Sequence, residues 1–118
     1  GACTIVHSDD ENQIQRLNQE AAKGLAAGRR MGMQISDEQA WTWLSYNPAK
    51  ALGIADKTGS LKPGKMADVV LWNGNPFSVY TRPEKVWIDG ALMFDATDPK
   101  RRPVSDFELG QPGEGDVK

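Results

Sequence analysis

The sequence predicts an α/β chain in which a strand runs into helices and a β-rich half follows. Three observations carry this expectation. A β-prone run near the start stops at an acidic pair, and two stretches with helical spacing come next. From Gly59 onward the pattern changes to turns and strands.

The first element is Cys3-Thr4-Ile5-Val6-His7, whose β-branched residues favour a strand. It stops at Ser8-Asp9-Asp10. Alternation along a strand places Cys3, Ile5, His7 and Asp9 on one face and Thr4, Val6 and Ser8 on the other. Cys3 is expected to be a small buried hydrophobe. A helical stretch is expected from Glu11–Asn12 to about Met31, with Ile14, Leu17, Ala21 and Leu25 on one face. Arg29 and Arg30 suit its last turn and Gly32 its stop. Ser36, with Gln39 three residues on, has the spacing of a capping box. Ala40, Trp41, Leu44 and Ser45 continue that helix, and Asn47-Pro48 should end it. Pro48 then suits the first turn of a short helix through Leu52, closed by Gly53.

Turn residues crowd Gly59 to Lys65, and Ala67 to Trp72 reads as a buried strand. Lys85–Ile88 and Ala91–Phe94 flank Asp89-Gly90, a pair that tolerates the positive φ of a type I′ hairpin turn. Past Asp95 the chain is polar, with a short basic run at Lys100-Arg101-Arg102, and Gly110–Lys118 has a disordered composition. Residues 1–56, 57–97 and 98–118 thus form three regions, the last expected to be partly disordered.

Composition narrows the function. A formal net charge of -2 gives no reason to expect nucleic acid or an anionic membrane as partner. No apolar run approaches the ~20 residues a membrane-spanning helix needs. The opening residues lack a secretion signal, which leaves cytoplasm and periplasm equally open. One cysteine and one histidine cannot build a self-contained zinc site, so any metal chemistry must draw ligands from elsewhere. Local sequence leaves two readings of Asp9 and Asp10: a carboxylate at the mouth of a strand-end site, or a cap for the next helix. His7 has a comparable alternative as a hydrogen-bonded, half-buried imidazole. The four tryptophans, Trp41, Trp43, Trp72 and Trp87, fit core or interdomain packing. Gln13, Arg16 and Asn18 fit a solvated helix face, although helix starts in a barrel do line its mouth. Asp68 is expected to bond backbone at a turn.

The later segments are more specific taken together. Asn47-Pro48-Ala49-Lys50-Ala51-Leu52-Gly53, then Gly59-Ser60-Leu61-Lys62-Pro63-Gly64-Lys65-Met66-Ala67-Asp68, resembles the closing signature of the amidohydrolase superfamily. There an Asn-Pro-Ala-x-x-Leu-Gly helix precedes Gly-x-Leu-x-x-Gly-x-x-Ala-Asp. Ile88-Asp89-Gly90-Ala91-Leu92-Met93 is similar to the family's last sandwich strands. The resemblance spans roughly Thr4 to Phe94.

It implies an α/β fold made of the last strand and helices of a (β/α)8 amidohydrolase barrel, followed by strands of the flanking small β-sandwich. It also implies a metal-dependent hydrolase of C–N bonds, imidazolonepropionase- or dipeptidase-like. Asp9 matches the aspartate that ends the eighth barrel strand, ligates a divalent metal (zinc is expected) and transfers protons; Asp10 is the alternative. The other ligands, a His-x-His pair among them, would lie outside this chain, which should be inactive alone. His7 and Gln13 are the candidates for touching a small-molecule substrate. Unpaired strands at Cys3–Val6 and Ala67–Trp72 would associate with the rest of the amidohydrolase chain or with another copy. A non-catalytic scaffold and a ring deaminase of the same superfamily are the competing readings.

Overall fold

A computed structural model describes residues 2–101. The order is a single 3₁₀ turn (Ile14–Arg16), α1 (Leu17–Arg30), α2 (Asp37–Trp41), α3 (Tyr46–Ala51), β1 (Val69–Trp72), β2 (Pro83–Ile88) and β3 (Ala91–Asp95). The strands form one antiparallel sheet in the order β1-β2-β3.

Residues 2–8 are extended but unpaired, so the expected first strand is not one in the structure. A strand is stabilised by a ladder, and among the described residues no strand lies beside this segment. Two bonds tie it instead to the helical half: Val6 N–H donates to the Trp43 carbonyl (3.2 Å), and Asn47 Nδ2 donates to the Thr4 carbonyl (2.8 Å). The alternation survives in part. Val6 and Ser8 are half-buried, while Cys3, Ile5, His7 and Asp9 are exposed. Cys3 is therefore not the buried hydrophobe expected, because no neighbouring strand or helix covers that face.

The helices follow local chemistry closely. α1 begins later than the spacing suggests, since the chain first makes the 3₁₀ turn. Ile14 is 60% exposed there and stands off the apolar face that buries Ala21 and Leu25. Gly32 (φ 85°) ends α1 in a Schellman arrangement: its N–H bonds the Arg29 carbonyl, and Met33 N–H bonds the Gly28 carbonyl. Gly28 is buried, and a Cβ there would meet Ile35 Cδ1 at 3.0 Å, so the chain returning from α1 packs directly on its backbone. Arg29 closes the same corner, donating through Nε and Nη2 to the Ile35 carbonyl and through Nη2 to Asp37.

The Ser36–Gln39 capping box forms in both directions. Asn47 does not end the preceding helix. α2 already stops at Trp41, so Leu44 and Ser45 lie in a turn and do not continue it; after Ser45 (φ -131°, ψ -77°) α3 starts at Tyr46 with Pro48 in its first turn, where a missing N–H costs no bond. Gly53 (φ 73°) closes α3 in a second Schellman arrangement, with Gly53 N–H on Lys50 and Ile54 N–H on Ala49.

β1 begins at Val69 because the residues before it serve turns. The Ala67 carbonyl accepts from Gly90 N–H, and the Asp68 carboxylate bonds elsewhere. Asp89 (φ 50°) and Gly90 (φ 78°) both take positive φ between Ile88 and Ala91, as the hairpin reading requires. Among the described residues the buried apolar ones are three alanines, Ala21, Ala40 and Ala49, and Leu25, and they lie in the helical half. The expectation of a disordered Gly110–Lys118 lies outside the described residues.

Candidate active site

The extended segment becomes helical through Ser8-Asp9-Asp10, and this turn separates the two acidic residues by role. Asp10 does local work: its Oδ1 accepts from Asn12 N–H (2.7 Å), its own N–H reaches Ser8 Oγ (3.4 Å), and its carbonyl accepts from Gln13 N–H (3.3 Å). It is an Asx turn leading into the 3₁₀ segment. Asp9 takes φ 54°, a left-handed conformation that aspartate tolerates better than most side-chain-bearing residues. Its carboxylate is exposed and makes no hydrogen bond or ion pair among the described residues. The helix-starting role thus falls to Asp10 and not to Asp9.

His7 and Gln13 are exposed on either side of this turn, and Gln13 makes no side-chain cap for the helix it precedes. Asn18 is not merely solvated: its Nδ2 donates to the Pro76 carbonyl at 2.7 Å, tying the start of α1 to the β1–β2 loop. That loop is held a second time, by Asn75 Nδ2 on Asp37 Oδ2 (3.0 Å). Residue spacing gave no sign of either tie, because the partners are far apart in the chain.

Among the described residues no three His, Cys, Asp or Glu side chains stand close enough to hold a metal ion. The described residues therefore do not make a whole metal centre by themselves.

Asp68 does what its place before an apolar strand suggests. Oδ1 accepts from Asp89 N–H (2.9 Å) and Oδ2 from Thr58 Oγ1 (2.9 Å). These two bonds, the backbone one foremost, hold its carboxyl below the ordinary range. Gly59, beside Thr58, has φ 83°, and a Cβ there would stand 2.6 Å from Ala49 Cβ. The glycine of the Gly59-Ser60-Leu61 turn is thus required both by its own dihedral and by α3 pressed against it.

A family model for the amidohydrolase family matches residues 6–101, and the chain belongs to that family. It is 41% identical over 70 residues to an N-acetylglucosamine-6-phosphate deacetylase of Vibrio furnissii, covering 59% of this chain and 16% of that protein. It is 55% identical over 40 residues to an imidazolonepropionase of Shewanella oneidensis, covering 34% of this chain and 10% of that protein. The crystal structure of an amidohydrolase from Thermotoga maritima superposes with a TM-score of 0.59 at 36% identity, over 70% of this chain and 21% of that one. The chain spans less than a quarter of the length of these relatives. Among its described residues, no helix is long and apolar enough to cross a membrane.

Proposed function

We propose that this chain is the closing part of a metal-dependent hydrolase that cleaves a C–N bond, with Asp9 as its one contribution to the reacting centre. The observation that carries the reading is the division of labour at the strand-to-helix turn. Asp10 satisfies the local backbone, while Asp9, at a positive φ, holds an exposed carboxylate with no other partner among the described residues. Family membership supports it, as do relatives named for deacetylation and for imidazolonepropionase activity.

A divalent cation, zinc in this proposal, supplies polarisation of the scissile carbonyl and acidification of a bound water when present. Its remaining ligands come from outside this chain, which is inactive alone. Asp9 is the residue of this chain that ligates it and accepts and returns a proton at its carboxylate oxygen. His7 and Gln13, exposed beside the turn, are the residues of this chain positioned to touch a small-molecule substrate. Residues 1–56 are its barrel end and 57–97 its share of the small β-sandwich. The unpaired segment 2–8 and the outer edge of β1 are where the rest of the enzyme, or a second copy, adds strands.

The test is Asp9→Asn in a protein that carries this chain together with the missing donors. Loss of a residue that moves protons lowers turnover on the order of 10²- to 10⁴-fold, and the bound metal measured by elemental analysis should fall as well. Asp10→Asn should leave turnover within a few-fold. An Asp9→Asn protein that keeps half its turnover returns the chain to the role of a non-catalytic scaffold.

A further inference from the structure

A concavity whose lining includes none of the residues of the Ser8–Asp10 turn lies elsewhere in the molecule. It measures about 420 Å³ and opens between α2, β1 and the β1–β2 loop. Its lining includes Trp41, Trp72, Phe77 and Val70 together with Asp37 and Glu38. The rings are crossed. Trp41 meets Trp72 at 6.0 Å and 88°, and Phe77 at 5.6 Å and 66°. A compact guest therefore meets aromatic surface in more than one orientation.

The charge of this hollow is one-sided. Asp37 is already matched, by Arg29 Nη2 at 2.9 Å and by Asn75. Glu38 has no cationic partner within ion-pair distance among the described residues. Its carboxyl is held below the ordinary range, with Ser36 and the backbone at the helix start foremost among the causes. One arginine, Arg29, thus serves two carboxylates, Asp37 and Glu38, and the net charge beside the rings is negative.

Aromatic faces attract cations through the ring quadrupole, most strongly when the cation gives up little hydration on leaving water. Inorganic cations cling to their water, whereas an alkylated ammonium carries an apolar coat that suits tryptophan walls. A hollow of a few hundred Å³, mostly apolar with a few polar groups, is the ordinary form of a small-molecule site.

We propose that the hollow bounded by Trp41, Trp72, Phe77 and Glu38 binds a small alkylated ammonium ion, held by the ring faces and by the Glu38 charge. It is separate from Asp9, and its test does not depend on hydrolysis. The probe is choline, compared with 3,3-dimethylbutan-1-ol, which has the same shape with carbon in place of the charged nitrogen. Indole N–H signals in a ¹⁵N-labelled protein that carries this chain together with the rest of the enzyme, assigned by single tryptophan replacements, follow each tryptophan separately.

The expected result is a saturable choline shift at Trp41 and Trp72, with little change at Trp87. The neutral alcohol should bind on the order of fivefold more weakly, the scale of a partly exposed cation–π contact. Glu38→Gln should weaken choline several-fold and leave the alcohol unchanged, and Trp41→Leu with a retained circular dichroism spectrum should abolish the choline shift. Equal binding of the alcohol, shifts centred on Trp87, or no saturation by tens of millimolar choline overturns the proposal. So does a Glu38→Gln chain that binds choline undiminished.

Discussion

Asp68 shows how one side chain in this chain replaces a missing core. Its carboxylate joins the Thr58 turn to the Asp89 turn, two loops that no buried apolar cluster connects. Asp95 does comparable work on β3, accepting from Lys85 Nζ (2.8 Å) and from the Thr97 hydroxyl and N–H. Both carboxyls are held below their usual range, Asp95 well below, chiefly by the Lys85 bond. A carboxyl lowered in the folded state contributes stability that is complete above the unfolded pKa, near 4, and is lost as pH falls through the folded value. The thermal midpoint should therefore hold from pH 7 to about 5 and drop below about pH 4. In Asp68→Asn it should be lower at neutral pH and fall less steeply in acid, which calorimetry across that range checks.

Gly59 and Gly64 permit a sharper comparison at the same scale. Both have positive φ (83° and 84°), yet a Cβ on Gly64 meets nothing within 4 Å, whereas one on Gly59 strikes Ala49. Gly64→Ala should cost about 1 kcal/mol, the price of the dihedral alone, and Gly59→Ala about 3 kcal/mol once overpacking is added. Urea denaturation of the two variants separates them; equal losses would mean that α3 does not press on this turn.

Among the elements, those determined by neighbours in sequence were legible and those determined by distant partners were not. The Ser36–Gln39 box and the Asp89-Gly90 hairpin turn need only residues a few positions apart, and both are present. The segment 2–8 has strand-forming residues, but a strand also needs another strand beside it, and composition says nothing about that. The same blindness hid Asn18, whose partner Pro76 lies 58 residues away. The Asp9 turn was legible as a place where a strand run stops, and only the Asx geometry of Asp10 shows which aspartate bonds the following backbone. Asn18→Ala should cost about 1 kcal/mol, the value of one partly buried hydrogen bond. Amide exchange should rise at the start of α1 and in the β1–β2 loop together; a rise in only one of them would mean that this bond does not couple the two.

Seen whole, the chain leaves much apolar surface uncovered. Leu61, Leu71, Tyr80, Ile88 and Met93 are all exposed, and among the described residues no large side chain is fully buried. β1 and β3 each present an outer edge, since the sheet ends at them. Exposed apolar patches and bare strand edges are templates for association. In sedimentation at micromolar concentration the isolated chain should run heavier than 12.9 kDa. A single monomeric boundary would show that these surfaces tolerate water without a partner.

The crossed indoles of Trp41 and Trp72 span the joint between the helices and the sheet, since one ring belongs to α2 and the other to β1. Two such chromophores at 6.0 Å share their electronic excitation. The far-ultraviolet dichroism should therefore carry an exciton couplet that vanishes when either indole is replaced. That signal is a built-in optical gauge: it reports whether the two halves remain docked, with no dye attached.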